Sequence, residues 1–220
     1  MIKLPDFDKA FDYENNFYLS CDITRISKII AHYELYKMIR NVPGAYVECG
    51  VLKGASFARF AMFREILDNP FSKKLIGFDT FDKFPETSYE PDKKSRNIQI
   101  NAAGPDSISV DQLKKVLEHK GIFKSVELVD GDVTETVPKY VKDNPQLKIS
   151  LLNLDTDIYE PAVTILEHLY PRITNGGILI LDDYETFPGE AKAVDEYFYG
   201  KDIEIKKFSF CMTPCYIIKK

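Results

Sequence analysis

The chain has no run approaching the ~20 consecutive apolar residues of a membrane helix. Its first residues, MIKLPDFDKAFDYENNF, are too acidic and too broken for a signal peptide. No membrane association and a cytoplasmic location are the expectations that follow. Basic charge is also short, with 29 Lys and Arg against 34 Asp and Glu and a formal net charge of -5. Pairs such as Lys73-Lys74 and Lys206-Lys207 are scattered, so no clustered surface tracks phosphates and nucleic acid is not an expected partner. Cysteine is scarce: Cys21, Cys49, Cys211 and Cys215 lack the spacing of a metal site and read as buried free thiols. What is present, 45% hydrophobic content in 220 residues, suffices for one well-buried domain over 1–220.

The stretch Ile149 to Phe187, ISLLNLDTDIYEPAVTILEHLYPRITNGGILILDDYETF, organises the rest. An apolar run from Ile149 to Leu154 ends in Asp155 and Asp157, an amphipathic segment follows, and Asn175-Gly176-Gly177 reads as the turn into a second apolar run, Ile178 to Leu181. Short apolar runs separated by one helix are neighbouring parallel strands buried on both faces. Parallel neighbours end at the same sheet edge, where ligands of open α/β sheets sit. Asp155 therefore meets Asp182 and Asp183. Three carboxylates brought together repel one another unless a cation holds them. With no His or Cys in the stretch near them, the oxygen-only set suits Mg²⁺, or Mn²⁺ second, and not zinc. Residues two apart on an extended strand face one side, about 6.5 Å apart. Asp155, nearer the strand body and Asp182, is expected as the metal ligand, and Asp157 as the base.

In chain order, residues 1–43 read as an N-terminal arm without periodicity followed by a helix from Asp22 to Arg40. The aromatic segment Phe7, Phe11, Tyr13, Phe17 and Tyr18 motivates a homodimer. His32, alone on the helix, reads as a surface or satisfied core residue. The strand Ala45 to Cys49 feeds the turn Glu48-x-Gly50-x-x-x-Gly54 and a helix over 55–67. That arrangement cradles nucleotides in doubly wound folds, but the dinucleotide spacing is absent and an acidic residue stands in place of its first glycine. A pyrophosphate would be repelled there. S-adenosylmethionine, with a sulfonium, an ammonium and no phosphate, fits better. The next strand ends at Asp79, placed to accept ribose hydroxyls, with Phe81 just beyond it. Residues 82–106, with Pro85, Pro91, Gly104 and Pro105, read as a lid loop over the substrate. Asp132, at the end of a further strand, can meet an adenine amino group or simply form the turn. The cofactor side thus comprises Glu48, Gly50, Gly54, Ser56, Asp79, Phe81, Asp132 and Asp155. The last two β-type runs, Ile203 to Phe208 and Cys211 to Ile218, are joined too closely to be anything but antiparallel.

Taken together and in this order, VECGVLKG, GFDTF, LNLDTDIYE, LYPRITNGG and LILDDYE resemble the macrocin O-methyltransferase family over roughly Gly44 to Tyr197. The family's members are class I S-adenosylmethionine-dependent, metal-dependent sugar methyltransferases. The resemblance implies a Rossmann-like, doubly wound α/β fold whose seven-stranded, mostly parallel sheet has an antiparallel last strand. It also implies Mg²⁺ on Asp155, Asp182 and Asp183, with Asp157 as base. The expected substrate is a small molecule or glycan: a nucleotide-linked sugar, a glycan or a glycosylated natural product. The competing readings are a catechol-type O-methyltransferase on a phenol, a nucleotide-sugar glycosyltransferase, whose Asp-x-Asp also holds a divalent ion, and a non-catalytic adenosine-binding domain. A glycosyltransferase would place phosphate-binding Lys or Arg near the metal, and none lies between Asp155 and Glu167.

Overall fold

The structure, a computed structural model, describes residues 2–220. Its elements are α1 (Ala10–Ser20), α2 (Ile23–Met38), β1 (Ala45–Cys49), α3 (Ala55–Leu67), β2 (Leu75–Asp79), α4 (Glu90–Ala103), α5 (Val110–His119), β3 (Val126–Asp130), α6 (Val133–Asp143), β4 (Ile149–Leu154), α7 (Tyr159–His168), β5 (Ile173–Leu181), α8 (Pro188–Phe198), β6 (Lys206–Lys207) and β7 (Cys215–Ile218). The strands form one seven-stranded sheet in the order β3-β2-β1-β4-β5-β7-β6. Strands β1 to β5 pair in parallel, and β7 runs antiparallel to both β5 and β6. This is the doubly wound, mostly parallel sheet the sequence implies.

Alternation along the strands builds two cores. Val47, Cys49, Leu152, Leu154, Leu179 and Leu181 face α6, α7 and α8, where Val137, Ile165, Leu166 and Val194 pack on them. Tyr46, Leu151, Ile178 and Ile180 face the other way, onto Leu35, Phe57, Phe60 and Leu113 of α2, α3 and α5. A strand residue's parity therefore decides which helical layer it meets. Among the described residues no helix is long and apolar enough to cross a membrane.

Three stretches differ from their sequence reading. Residues 175–177 are not a turn, because β5 begins at Ile173 and carries them as an irregularity in its pairing with β4. Gly177 is required there, since a Cβ would lie 2.9 Å from the Ser150 carbonyl oxygen. The 82–106 segment is only partly loop: α4 occupies Glu90–Ala103, with Pro91 in its first turn. Proline is tolerated at that position because the missing N–H has no helical partner anyway. The aperiodic N-terminal arm contains α1, none of whose residues is buried. Phe11, Tyr18 and Leu19 stand exposed on it. Just before α1, Phe7 stacks on His119, and the Ile2 carbonyl accepts from Gln112 Nε2 at 2.6 Å, fastening the arm to α5.

Candidate active site

The parallel strands end at one edge, and two cavities open there. The first, of ≈ 260 Å³, runs from the turn after β1 (Gly50, Leu52) past Asp79 and Thr80 to Asp132 and Thr134, and is roofed by Phe84 and Pro85. The second, of ≈ 460 Å³, lies between α2, α3 and α4 and the ends of β4 and β5. Both are lined by Gly50, Leu52, Asp155 and Asp157. These residues form the boundary where contents of the two cavities would meet.

At that boundary Asp155, Asp182 and Asp183 each bring an oxygen within 4.8 Å of the others. Burial and then the Asp182 charge push the Asp155 carboxyl well up. Burial acts the same way on Asp182, but there the Lys28 ammonium, 2.5 Å from Oδ2, prevails and holds the carboxylate ionised. Burial, then the Asp155 charge, raises Asp157 to about 7. Asp182 Oδ1 and Asp183 Oδ2 are buried and have no hydrogen-bond partner. Orphaned carboxylate oxygens in a low-dielectric site are costly unless a cation meets them, so these residues fit a hard divalent ion.

The backbone here departs from the extended form expected of Asp155-Thr156-Asp157. β4 ends at Leu154, and the Ile158 N–H donates to the Thr156 carbonyl at 2.6 Å. Asp157 sits at the centre of that tight turn with φ +63. The 6.5 Å spacing argument therefore does not apply, and the two aspartates are separated by the turn. Left-handed backbone at a non-glycine residue is strained and concentrates at functional sites.

Several residues expected at the cofactor lie elsewhere. Glu48 is fully buried and lines neither cavity, because its parity on β1 is that of Tyr46, which turns it toward α3. Its oxygens accept from the Tyr46 hydroxyl and from Ser56 Oγ at 2.5 Å, and burial raises it to about 7 against those bonds. Phe81, at φ +47, packs in the core on the α2, α3 and α5 side, leaving Thr80 at the cavity. Gly54, at φ +80, caps α3 and faces Leu113 and Ile108, reaching neither cavity. Ser56 lines the second cavity and not the first. Asp132 lines the first while also capping α6 through Thr134 N at 2.8 Å. Asp79 lines it too, yet its oxygens accept from Val51 N (2.7 Å), Leu52 N (2.9 Å), Phe81 N (2.7 Å) and Ser107 Oγ (2.9 Å). It braces the turn that forms the cavity wall.

Gly50 is a close-approach glycine, but its neighbour is the protein itself. At φ +93 a Cβ would lie 1.7 Å from the Asp155 carbonyl oxygen. Gly50→Ala should therefore displace Asp155 from both cavities. The expected outcome is a stability loss of at least about 2 kcal/mol and a fall in turnover of at least about 100-fold, read by thermal melting and by an activity assay. Wild-type values for both would show that the two turns have slack.

Residues 25–211 match the family described as Macrocin-O-methyltransferase (TylF). The chain belongs to that family. It is 31% identical over 148 residues to the 8-demethyl-8-(2,3-dimethoxy-alpha-L-rhamnosyl)-tetracenomycin-C 4'-O-methyltransferase of Streptomyces olivaceus, covering 66% of this chain and 54% of that one. It is 30% identical over 166 residues to the demethyldecarbamoylnovobiocin O-methyltransferase of Streptomyces niveus, covering 71% and 59%. The match thus spans little more than half the length of these curated relatives. Among solved structures, the calicheamicin methyltransferase CalS11 superposes with a TM-score of 0.79 at 28% identity, over 97% of this chain and 85% of that one.

The segment matched to the macrocin O-methyltransferase family includes α2, whose part in the site the sequence reading missed. Lys28 and His32, one turn apart, both reach Asp182; His32 Nε2 lies 3.8 Å from Oδ1. Burial lowers His32 to about 4, so it is neutral, and its Nδ1 is 3.0 Å from Arg59 Nη1. The available signal was a Lys on the helix face otherwise occupied by Tyr36 and Leu35. Glu190 was missed as well: fully buried on α8, it accepts from the Asp183 N–H at 3.0 Å. Two further carboxylates tie residues 82–106 to α7 and α8. Asp92 of α4 accepts from Tyr159 N (2.9 Å) and Gly189 N (2.7 Å), at the starts of α7 and α8. Glu160 holds Thr87 Oγ1 (2.9 Å) and Ser88 N (2.8 Å).

Proposed function

We propose that the protein transfers a methyl group from S-adenosylmethionine to a hydroxyl of a sugar. The observation that carries this reading is the meeting of two cavities at Gly50, Leu52, Asp155 and Asp157. The first would take the methyl donor, with its adenosine between Asp79 and Asp132 and its sulfonium toward Asp155. The second would take the acceptor, so that attack proceeds through the shared boundary. Names of the relatives, which specify rhamnosyl and other natural-product acceptors, support a sugar in place of a catechol.

Asp155, Asp182 and Asp183 would hold the divalent ion, Mg²⁺ or Mn²⁺. Bound there, the ion would lower the pKa of an acceptor hydroxyl and fix its direction. Asp157 would accept the hydroxyl proton on its carboxylate, and a pKa near 7 suits a base working at neutral pH. Thr87, Ser88 and α4, pinned by Glu160 and Asp92, would exclude water from the reacting atoms.

Labelled S-adenosylmethionine offered with nucleotide-linked sugars, glycosylated natural products and catechols tests this. Label is expected on a sugar oxygen. Transfer only to a catechol, or none with sugar release from a nucleotide sugar, would replace the reading. The homodimer belongs to the same proposal, with a second copy covering Phe11, Tyr18 and Leu19 of α1. Light scattering should give twice the chain mass, and a monomer at micromolar concentration would remove it.

A further inference from the structure

The second cavity is charged unevenly. Asp155, Asp157, Asp182 and Asp183 line it at the strand ends, while Arg25 and Lys28 of α2, Lys53 of the β1 turn and Arg59 of α3 line it from the helical side. Lys28 is committed to Asp182. The other three cations have no carboxylate within ion-pair distance among the described residues. Lys53 Nζ donates to the Asp106 carbonyl and Arg59 Nη1 meets His32 Nδ1, while Glu48, Asp182 and Asp155 act on the Arg59 charge from beyond ion-pair distance. Gathered on one wall of a single cavity, these three cations present a site that an anion from outside would complete.

Arg59 makes the point most strongly. Burial opposes its charge, yet a guanidinium stays protonated in proteins. Glu48, Asp182 and Asp155 offset only part of that desolvation, and an arriving anion would offset more. Arginine and lysine together suit phosphate, the first as a planar fork and the second as a point charge.

We propose that Arg25, Lys53 and Arg59 form an anion subsite for the acceptor, and that the methylated sugar is carried on a phosphate, as in a sugar joined to a nucleoside diphosphate. The sugar hydroxyl lies at the aspartates and the phosphate on the opposite wall. A neutral glycoside would leave these three cations unmatched. The inference rests on the second cavity being the acceptor site.

Calorimetry on protein saturated with S-adenosylhomocysteine, titrated with thymidine 5'-diphosphate, tests it. Saturable binding is expected, weakened about tenfold or more in Arg25→Gln and in Lys53→Gln, with affinity for S-adenosylhomocysteine within about twofold of wild type. The two substitutions sit on different elements and Arg25 is exposed, so thermal melting should stay near wild type in at least one. Absence of thymidine 5'-diphosphate binding at millimolar concentration would overturn the inference. So would an equal loss of S-adenosylhomocysteine affinity in both variants, which would assign the wall to the donor's own carboxylate. Methyl transfer to a neutral glycoside as efficient as to its nucleotide-linked form would also overturn the inference, while leaving the methyltransferase reading standing.

Discussion

Asp157→Asn is expected to lower kcat by about 10²- to 10⁴-fold while leaving methyl-donor affinity nearly intact. Asn keeps the size and one acceptor of the carboxylate and tolerates the left-handed backbone at φ +63, so the turn should persist. What disappears is the proton acceptor. The same residue is expected to set the acid limb of the pH profile. Its carboxyl is raised to about 7, first by burial and then by the Asp155 charge. The base form is lost as pH falls through that pKa, so turnover should decline below about pH 7. A bound divalent ion opposes protonation and moves the limb lower. Asp157→Asn should abolish that limb, and a variant with wild-type kcat would remove Asp157 from the chemistry.

Asp155→Asn should act differently, weakening divalent-ion affinity by at least about 10- to 100-fold, with turnover partly restored by raised Mg²⁺. The reason is positional: Asp155 is within 4.8 Å of both Asp182 and Asp183 and lines both cavities. Because it also lines the cavity proposed for the donor, some loss of donor affinity should accompany the metal effect. Calorimetry with Mn²⁺ and kinetics over a Mg²⁺ series separate the two. If Asp157→Asn were the variant rescued by metal while Asp155→Asn lost turnover at saturating Mg²⁺, the two roles would have to be exchanged.

The strand-helix-strand unit around Asp155 and Asp182 was readable because apolar runs set strand direction, and parallel strands bring their ends together whatever the loops do. That logic placed Asp79, Asp132, Asp155, Asp182 and Asp183 at one edge, where the structure has them. It says nothing about side-chain parity at a strand end. Glu48 and Phe81 were for that reason assigned to the cavity when their parity and backbone turn them into the layer of α2, α3 and α5. Proline and glycine misled in two places. Pro91 read as loop sits in the first turn of α4, and Gly176-Gly177 read as a turn lies within β5. The contribution of α2 was hidden for a third reason. Lys28 and His32 come from a helix more than a hundred residues before Asp182, and no local pattern ties the two together.

The most direct test is a crystal grown with Mn²⁺ and S-adenosylhomocysteine and measured for anomalous scattering. The account predicts one peak bonded to oxygens of Asp155, Asp182 and Asp183, with S-adenosylhomocysteine in the cavity between Asp79 and Asp132 and its sulfur directed at Asp155. No peak at that cluster, with the Lys28 ammonium still seated on Asp182 and methyl transfer undiminished in chelator, would contradict it.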